Sequence, residues 1–120
     1  MIITNDKNFP RIVLIINNFN KLEADTLAKE VIRLNEKAQR ERIHINFHVD
    51  LYFLKDYNNN DLKQAIDKLA EKSFEYVNSI TLYLNNNVSN FMLKAAIYMY
   101  KLQYNLPIKY VETKKHIVLK

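Results

Sequence analysis

Three asparagine clusters hold much of the binding capacity of this chain: Asn17-Asn18, Asn58-Asn59-Asn60 and Asn85-Asn86-Asn87. Each stands between an apolar run and a helix-like pattern. Asparagine is a good helix cap and tolerates left-handed backbone better than most residues with a β-carbon. In a chain of 120 residues with no glycine, it is the natural substitute where the backbone turns sharply. That role accounts for any single cluster without a ligand. Three clusters ahead of helix starts, whose first N–H groups are unpaired and partly positive, also describe a donor-rich cradle for phosphates and base edges.

Other chemistry is incomplete. The absence of cysteine removes disulfides, thiolate zinc sites and cysteine nucleophiles together. His44 and His48 share a strand face but lie roughly 13 Å apart along it, too far to ligate one metal directly. His48 and Asp50, one pleat apart, are close enough, although a hydrated or interface-facing polar strand is the favoured reading. His116 has no evident partner in sequence, and Ser73, Ser79 and Ser89 have no recognisable base nearby. No metal and no cofactor is expected. Tyr98-Met99-Tyr100-Lys101 fits the tyrosine-x-x-lysine helix of a rolling-circle nuclease, but Asn46-Phe47-His48 keeps only one histidine of the metal-binding strand such an enzyme needs.

The elements that must position these groups alternate. RIVLIIN, residues 11–17, is β-branched and apolar and reads as a buried strand. Leu22, Leu27, Ala28, Val31, Leu34 and Ala38 recur at helical spacing, predicting an amphipathic helix over 22–40. From 42 to 53, Ile43, Ile45, Phe47, Val49, Leu51 and Phe53 alternate with His44, Asn46, His48, Asp50 and Tyr52: a long strand with one polar face. Asn58–Asn60 and Asp61 cap a second helix carried by Leu62, Ala65, Ile66, Leu69 and Phe74. Ile80–Leu84 is a strand. A third helix over about 91–104 is apolar nearly all round, which predicts cover on more than one side, either within the sheet layers or by a second subunit. Pro107 opens a strand, IKYVE, and HIVLK returns beside it. The order βαβαβαββ gives a single domain over 1–120, α/β and Rossmann-like, with three layers and a mostly parallel sheet. In such a sheet the loops at the carboxyl ends of the strands share one edge, where ligands bind.

Charge is uneven. The whole net charge of +5 falls in residues 76–120, where Lys94, Lys101, Lys109, Lys114, Lys115 and Lys120 face Glu112 alone. Tyr83, Tyr98, Tyr100, Tyr104 and Tyr110 lie there too. Such a segment can attract phosphates and stack bases, against the plainer reading of a lysine-rich surface over an aromatic core. No run approaches a membrane span and the N-terminus lacks a signal-peptide layout, so a cytoplasmic protein without a membrane partner is expected.

IVLIIN with its charged helix, the segment from Ile43 to Phe74, and ITLYLNNNVSNFMLKAAIYMYKLQYNLPIKYVE together resemble the CARF (CRISPR-associated Rossmann fold) domain over about residues 11–112. The last segment overlies the family's strand, small polar loop, alanine-containing helix and final strand. The family's loop glycine is replaced around Asn87, and only MIIT and a few residues precede Arg11, which implies a reduced, stand-alone member. The resemblance implies binding of a cyclic oligoadenylate-type second messenger by a homodimer, as sensor, sponge or ring nuclease in CRISPR-type antiviral defence or viral counter-defence. It carries ligand contacts onto Asn85, Asn86, Asn87, Val88 and Ser89, with Asn17 and Asn18 in the neighbouring loop. A non-catalytic binder is favoured; if the ligand is cleaved, Ser89 and Lys94 are the candidates, positioning a ribose hydroxyl and stabilising phosphate charge. Two alternatives stay open: a non-enzymatic viral or plasmid-borne interaction protein presenting polar strand 44–52, and a reduced rolling-circle-type nuclease. Direct DNA or RNA binding ranks behind the cyclic ligand.

Overall fold

The computed structural model describes residues 2–5, 9–17, 20–54, 59–86, 94–95, 97–99, 101–102 and 107–117. Strands β1 (Ile2–Asn5), β2 (Arg11–Ile16), β3 (Ile45–Asp50), β4 (Val77–Asn85) and β5 (Ile108–Thr113) form one sheet in the order β1-β2-β3-β4-β5. β1 runs antiparallel to β2, and every other pair is parallel. Helix α1 (Lys21–Glu41) links β2 to β3, and α2 (Asn59–Ala70) links β3 to β4. A third helix, α3, has residues 94–95, 97–99 and 101–102 described and precedes β5. The result is the expected α/β, Rossmann-like alternation around a parallel sheet.

The strand register separates the two faces of the sheet. Ile12, Phe47, Ile80 and Ile108 form one row across four strands, and Leu14, Val49, Leu82 and Tyr110 form the next. These side chains, Tyr110 apart, pack with Ala24, Ala28, Val31, Leu34 and Ala38 of α1, Ala65 of α2 and Ile97 of α3 in one core. The alanines let α1 approach the strands closely, and each large side chain buried there contributes about 1.5–3 kcal/mol. The strands advance across the sheet in one direction, so right-handed crossovers place successive helices on the same face. The described residues accordingly form two layers, where three were expected. The opposite face carries Arg11, Asn46 and Ser79 in one row, Val13, His48, Thr81 and Lys109 in the next, and Ile15, Asp50, Tyr83 and Val111 in the third.

Helix ends follow from local chemistry. The Asn20 side chain accepts from the Glu23 N–H at 2.9 Å and starts α1. α1 stops at Arg42, which takes a left-handed conformation (φ 54, ψ 44) while its N–H reaches the carbonyls of Ala38 and Gln39. Two amides of α1, Asn35 Nδ2 and Gln39 Nε2, donate to the Ser73 carbonyl at 2.8 and 2.9 Å and fix the turn after α2. Lys68 Nζ meets Asp25 Oδ1 at 2.7 Å, joining α2 to α1.

Two boundaries differ from expectation. The strand expected over 42–53 is confined to Ile45–Asp50, because Arg42 is consumed by the helix cap and the chain turns at Tyr52 and Phe53. Residues 116–117 form no strand; the additional strand is β1, at the other end of the chain. Among the described residues α3 buries Ile97 and leaves Tyr98, Met99 and Leu102 at 60%, 67% and 66% exposure, so the second side of its expected cover is not supplied by those residues.

Candidate functional site

Parallel pairing brings the carboxyl ends of β2 to β5 to one rim, which presents Asn17, then Asp50 to Tyr52, then Asn85 and Asn86, then Thr113 and Lys114. Backbone bonds extend the sheet into it: Leu51 N–H donates to the Tyr83 carbonyl and Asn86 N–H to the Thr113 carbonyl, each at 2.9 Å. Asn85 Nδ2 donates to the Tyr52 carbonyl at 2.9 Å, and the Tyr52 hydroxyl donates to the Lys114 carbonyl at 3.0 Å. Between these groups lies an open cleft of about 430 Å³ lined by Tyr52, Asn85, Asn86 and Lys114. Ligand clefts in open parallel sheets characteristically occupy this position.

Beside the cleft stands a cluster that sequence spacing does not reveal. Asp50, 3% exposed, accepts from His116 Nε2 at 2.6 Å through Oδ2 and from the Tyr52 N–H at 3.0 Å through Oδ1. The His116 ring packs against Tyr52 and Phe53, with centroids 5.2 and 4.6 Å away. A carboxylate this deep is costly unless both oxygens are bonded, and here both are. Asp50 at the carboxyl end of an inner strand was a legible signal. His116, 66 positions away, was not.

The expected contact residues divide. Asn17, Asn85 and Asn86 stand on the rim, while Asn18, Asn87, Val88 and Ser89 lie outside the described residues. Asn17 Oδ1 is closed off from solvent and accepts no hydrogen bond, an arrangement costing about 1–3 kcal/mol. Lys94 Nζ is held by Glu112 Oε1 at 2.7 Å, so its charge is matched within the chain. Lys114, one of the lysines of the basic segment, and Tyr52, read as a polar strand position and not as a ligand contact, line the cleft.

His48 and Asp50, the pair close enough in sequence to share a metal, each have a partner within the chain. His48 Nδ1 and the Tyr83 hydroxyl lie 2.9 Å apart, and Asp50 is engaged by His116. Among the described residues no three of His, Cys, Asp or Glu gather to hold a metal. Burial, then the positive charges of Arg11 and Lys109, hold the His48 ring below its ordinary pKa. Among the described residues no helix is long and apolar enough to cross a membrane.

No family model, no curated protein and no solved structure matches the chain, a small α/β domain built on four parallel strands.

Proposed function

We propose that this domain binds a nucleotide-type anion in the rim cleft, and that a cyclic oligoadenylate is the first ligand to test, on the strength of the CARF-like sequence pattern. The cleft bounded by Tyr52, Asn85, Asn86 and Lys114 carries the reading. Its volume falls within the range of small-molecule sites. Lys114 supplies positive charge, Asn86 a free-standing amide at the mouth, and Tyr52 an aromatic wall.

A cyclic oligonucleotide is larger than one such cleft, and a second copy of the chain would share it. The exposed Tyr98, Met99 and Leu102 give that copy an apolar seat. Binding without turnover is the favoured activity, because Lys94 is already neutralised by Glu112.

Calorimetric titration with cyclic oligoadenylates, linear oligoadenylates and mononucleotides tests the proposal, with light scattering reading the mass of the complex. One cyclic species should bind, and Asn86→Asp or Lys114→Glu should each weaken it by about tenfold or more, a cost of about 1.4 kcal/mol. Heat from none of the panel, or binding indifferent to both substitutions, would refute it.

A further inference from the structure

We infer that the outer edge of β5 is a dimer seam, on which β5 of a second copy of this chain pairs antiparallel and extends the sheet. β4 flanks β5 on one side, and among the described residues no strand lies on the other. The bonds to β4 fix where the backbone groups of β5 point. Ile80 N–H donates to the Pro107 carbonyl and Asn86 N–H to the Thr113 carbonyl, each at 2.9 Å. Backbone groups alternate in direction along a strand, so positions 107, 109, 111 and 113 serve β4. Ile108, Tyr110 and Glu112 turn their N–H and C=O groups outward, where they form a template for another strand.

This edge lacks most of the features that keep sheet edges apart. β5 spans six residues, and its register with β4 is unbroken from Ile80↔Ile108 to Asn85↔Thr113, so no bulge twists it away. Pro107 stands before the strand with its carbonyl toward β4, and so removes no outward N–H. Glu112 is matched by Lys94, which leaves Lys109 as the strand's other charge. Tyr110 and Val111 are 43% and 39% exposed, one on each face, so apolar surface borders the edge above and below.

Self-complementarity selects a second copy as the occupant. A two-fold axis perpendicular to the sheet joins two such edges antiparallel, keeps both helix layers on one side and sets residues of the same face opposite each other. The pairing centred on Tyr110 places Tyr110 opposite Tyr110 of the second copy, and Ile108 opposite its Glu112. All three are outward-bonding positions, so every outward N–H and C=O of both strands finds a partner. Sliding by two residues in either direction carries Ile108 or Glu112 past the end of the other β5. On the helix face the two Tyr110 rings meet at the axis. On the open face Lys109 lies opposite Val111 of the second copy, and its methylene stem covers the valine. The antiparallel seam points the two carboxyl-end rims to opposite ends of a ten-stranded sheet, twice the five strands of one chain. It therefore forms without the rim ligand and stands apart from any copy that shares one.

Analytical ultracentrifugation of the intact, ligand-free chain across a dilution series, with oxidative cross-linking of single-cysteine variants, tests this. The chain has no cysteine of its own, so each introduced thiol reports one position. The parent chain should sediment at twice its mass and dissociate on dilution. Tyr110→Cys should cross-link to a disulfide dimer, because hydrogen-bonded partners stand about 5.5 Å apart at Cα, within disulfide reach. Val111→Cys should not, because its counterpart lies diagonally across the seam at about 7–8 Å. Tyr110→Pro removes an outward N–H and no bond to β4, so it should sediment as one chain with the circular dichroism of the parent. Asn86→Asp should leave dimerisation unchanged, which keeps the result independent of the rim ligand. Three outcomes would overturn the inference: a parent chain that is monomeric at every concentration, a folded Tyr110→Pro variant that still dimerises, or equal cross-linking at positions 110 and 111.

Discussion

His48 shows how one residue reports on a whole face. Its ring sits in the row Val13, His48, Thr81, Lys109 and bonds to Tyr83 one pleat along. Burial is the largest cause of its lowered pKa, ahead of Arg11 and then Lys109. The unfolded chain therefore binds a proton at this site before the folded chain does, so stability falls as pH drops below the unfolded value of about 6.5. The loss continues until pH passes the folded value and then levels off. Proton NMR titration should place the His48 midpoint below that of a free histidine, and Lys109→Gln should move it part of the way back. A midpoint at or above the ordinary value would mean that the face is neither desolvated nor positive.

At the scale of elements, α1 shows what a glycine-free sequence does at a helix end. The chain must turn left-handed after Glu41, a role commonly given to glycine, and Arg42 takes it instead. Left-handed backbone costs a residue with a β-carbon about 1–2 kcal/mol, and the greater flexibility of unfolded glycine offsets about 0.5–1 kcal/mol of any relief. Arg42→Gly should thus stabilise the domain by about 0.5–1 kcal/mol, seen as a higher denaturant midpoint with an unchanged slope. α1 itself was legible because its period ran unbroken from Leu22 to Ala38. The layering was legible too, in part. The alternation of His44, Asn46, His48 and Asp50 belongs to a strand with one wet face, and a fully three-layered sheet has no place for it. β1 was not legible, because four residues are too few to show a period.

The whole molecule is joined at the rim by contacts between distant parts of the chain. Asp50 on an inner strand is satisfied by His116 beyond the last strand, and Tyr52 reaches the Lys114 carbonyl across 62 positions. Spacing in sequence carries no trace of such pairs, which is why His116 looked partnerless while Asn85 and Asn86 could be placed on the rim from topology alone. The same contacts make one wall of the cleft depend on the segment after β5, since Lys114 lines it and His116 anchors that segment. Removing the imidazole should leave the Asp50 carboxylate buried with one oxygen unbonded. Fully buried pairs broken in this way lose about 3–5 kcal/mol. His116 is partly exposed, so water can replace some of the lost contact, and His116→Ala should cost nearer 1–3 kcal/mol. Replacing both members with apolar residues, Asp50→Leu with His116→Leu, should recover most of that loss, because no charge is then stranded. Thermal melts of the single and double variants read the difference. If the single variant melts with the parent protein, the segment is held by something other than the Asp50 contact, and the cleft wall does not depend on it.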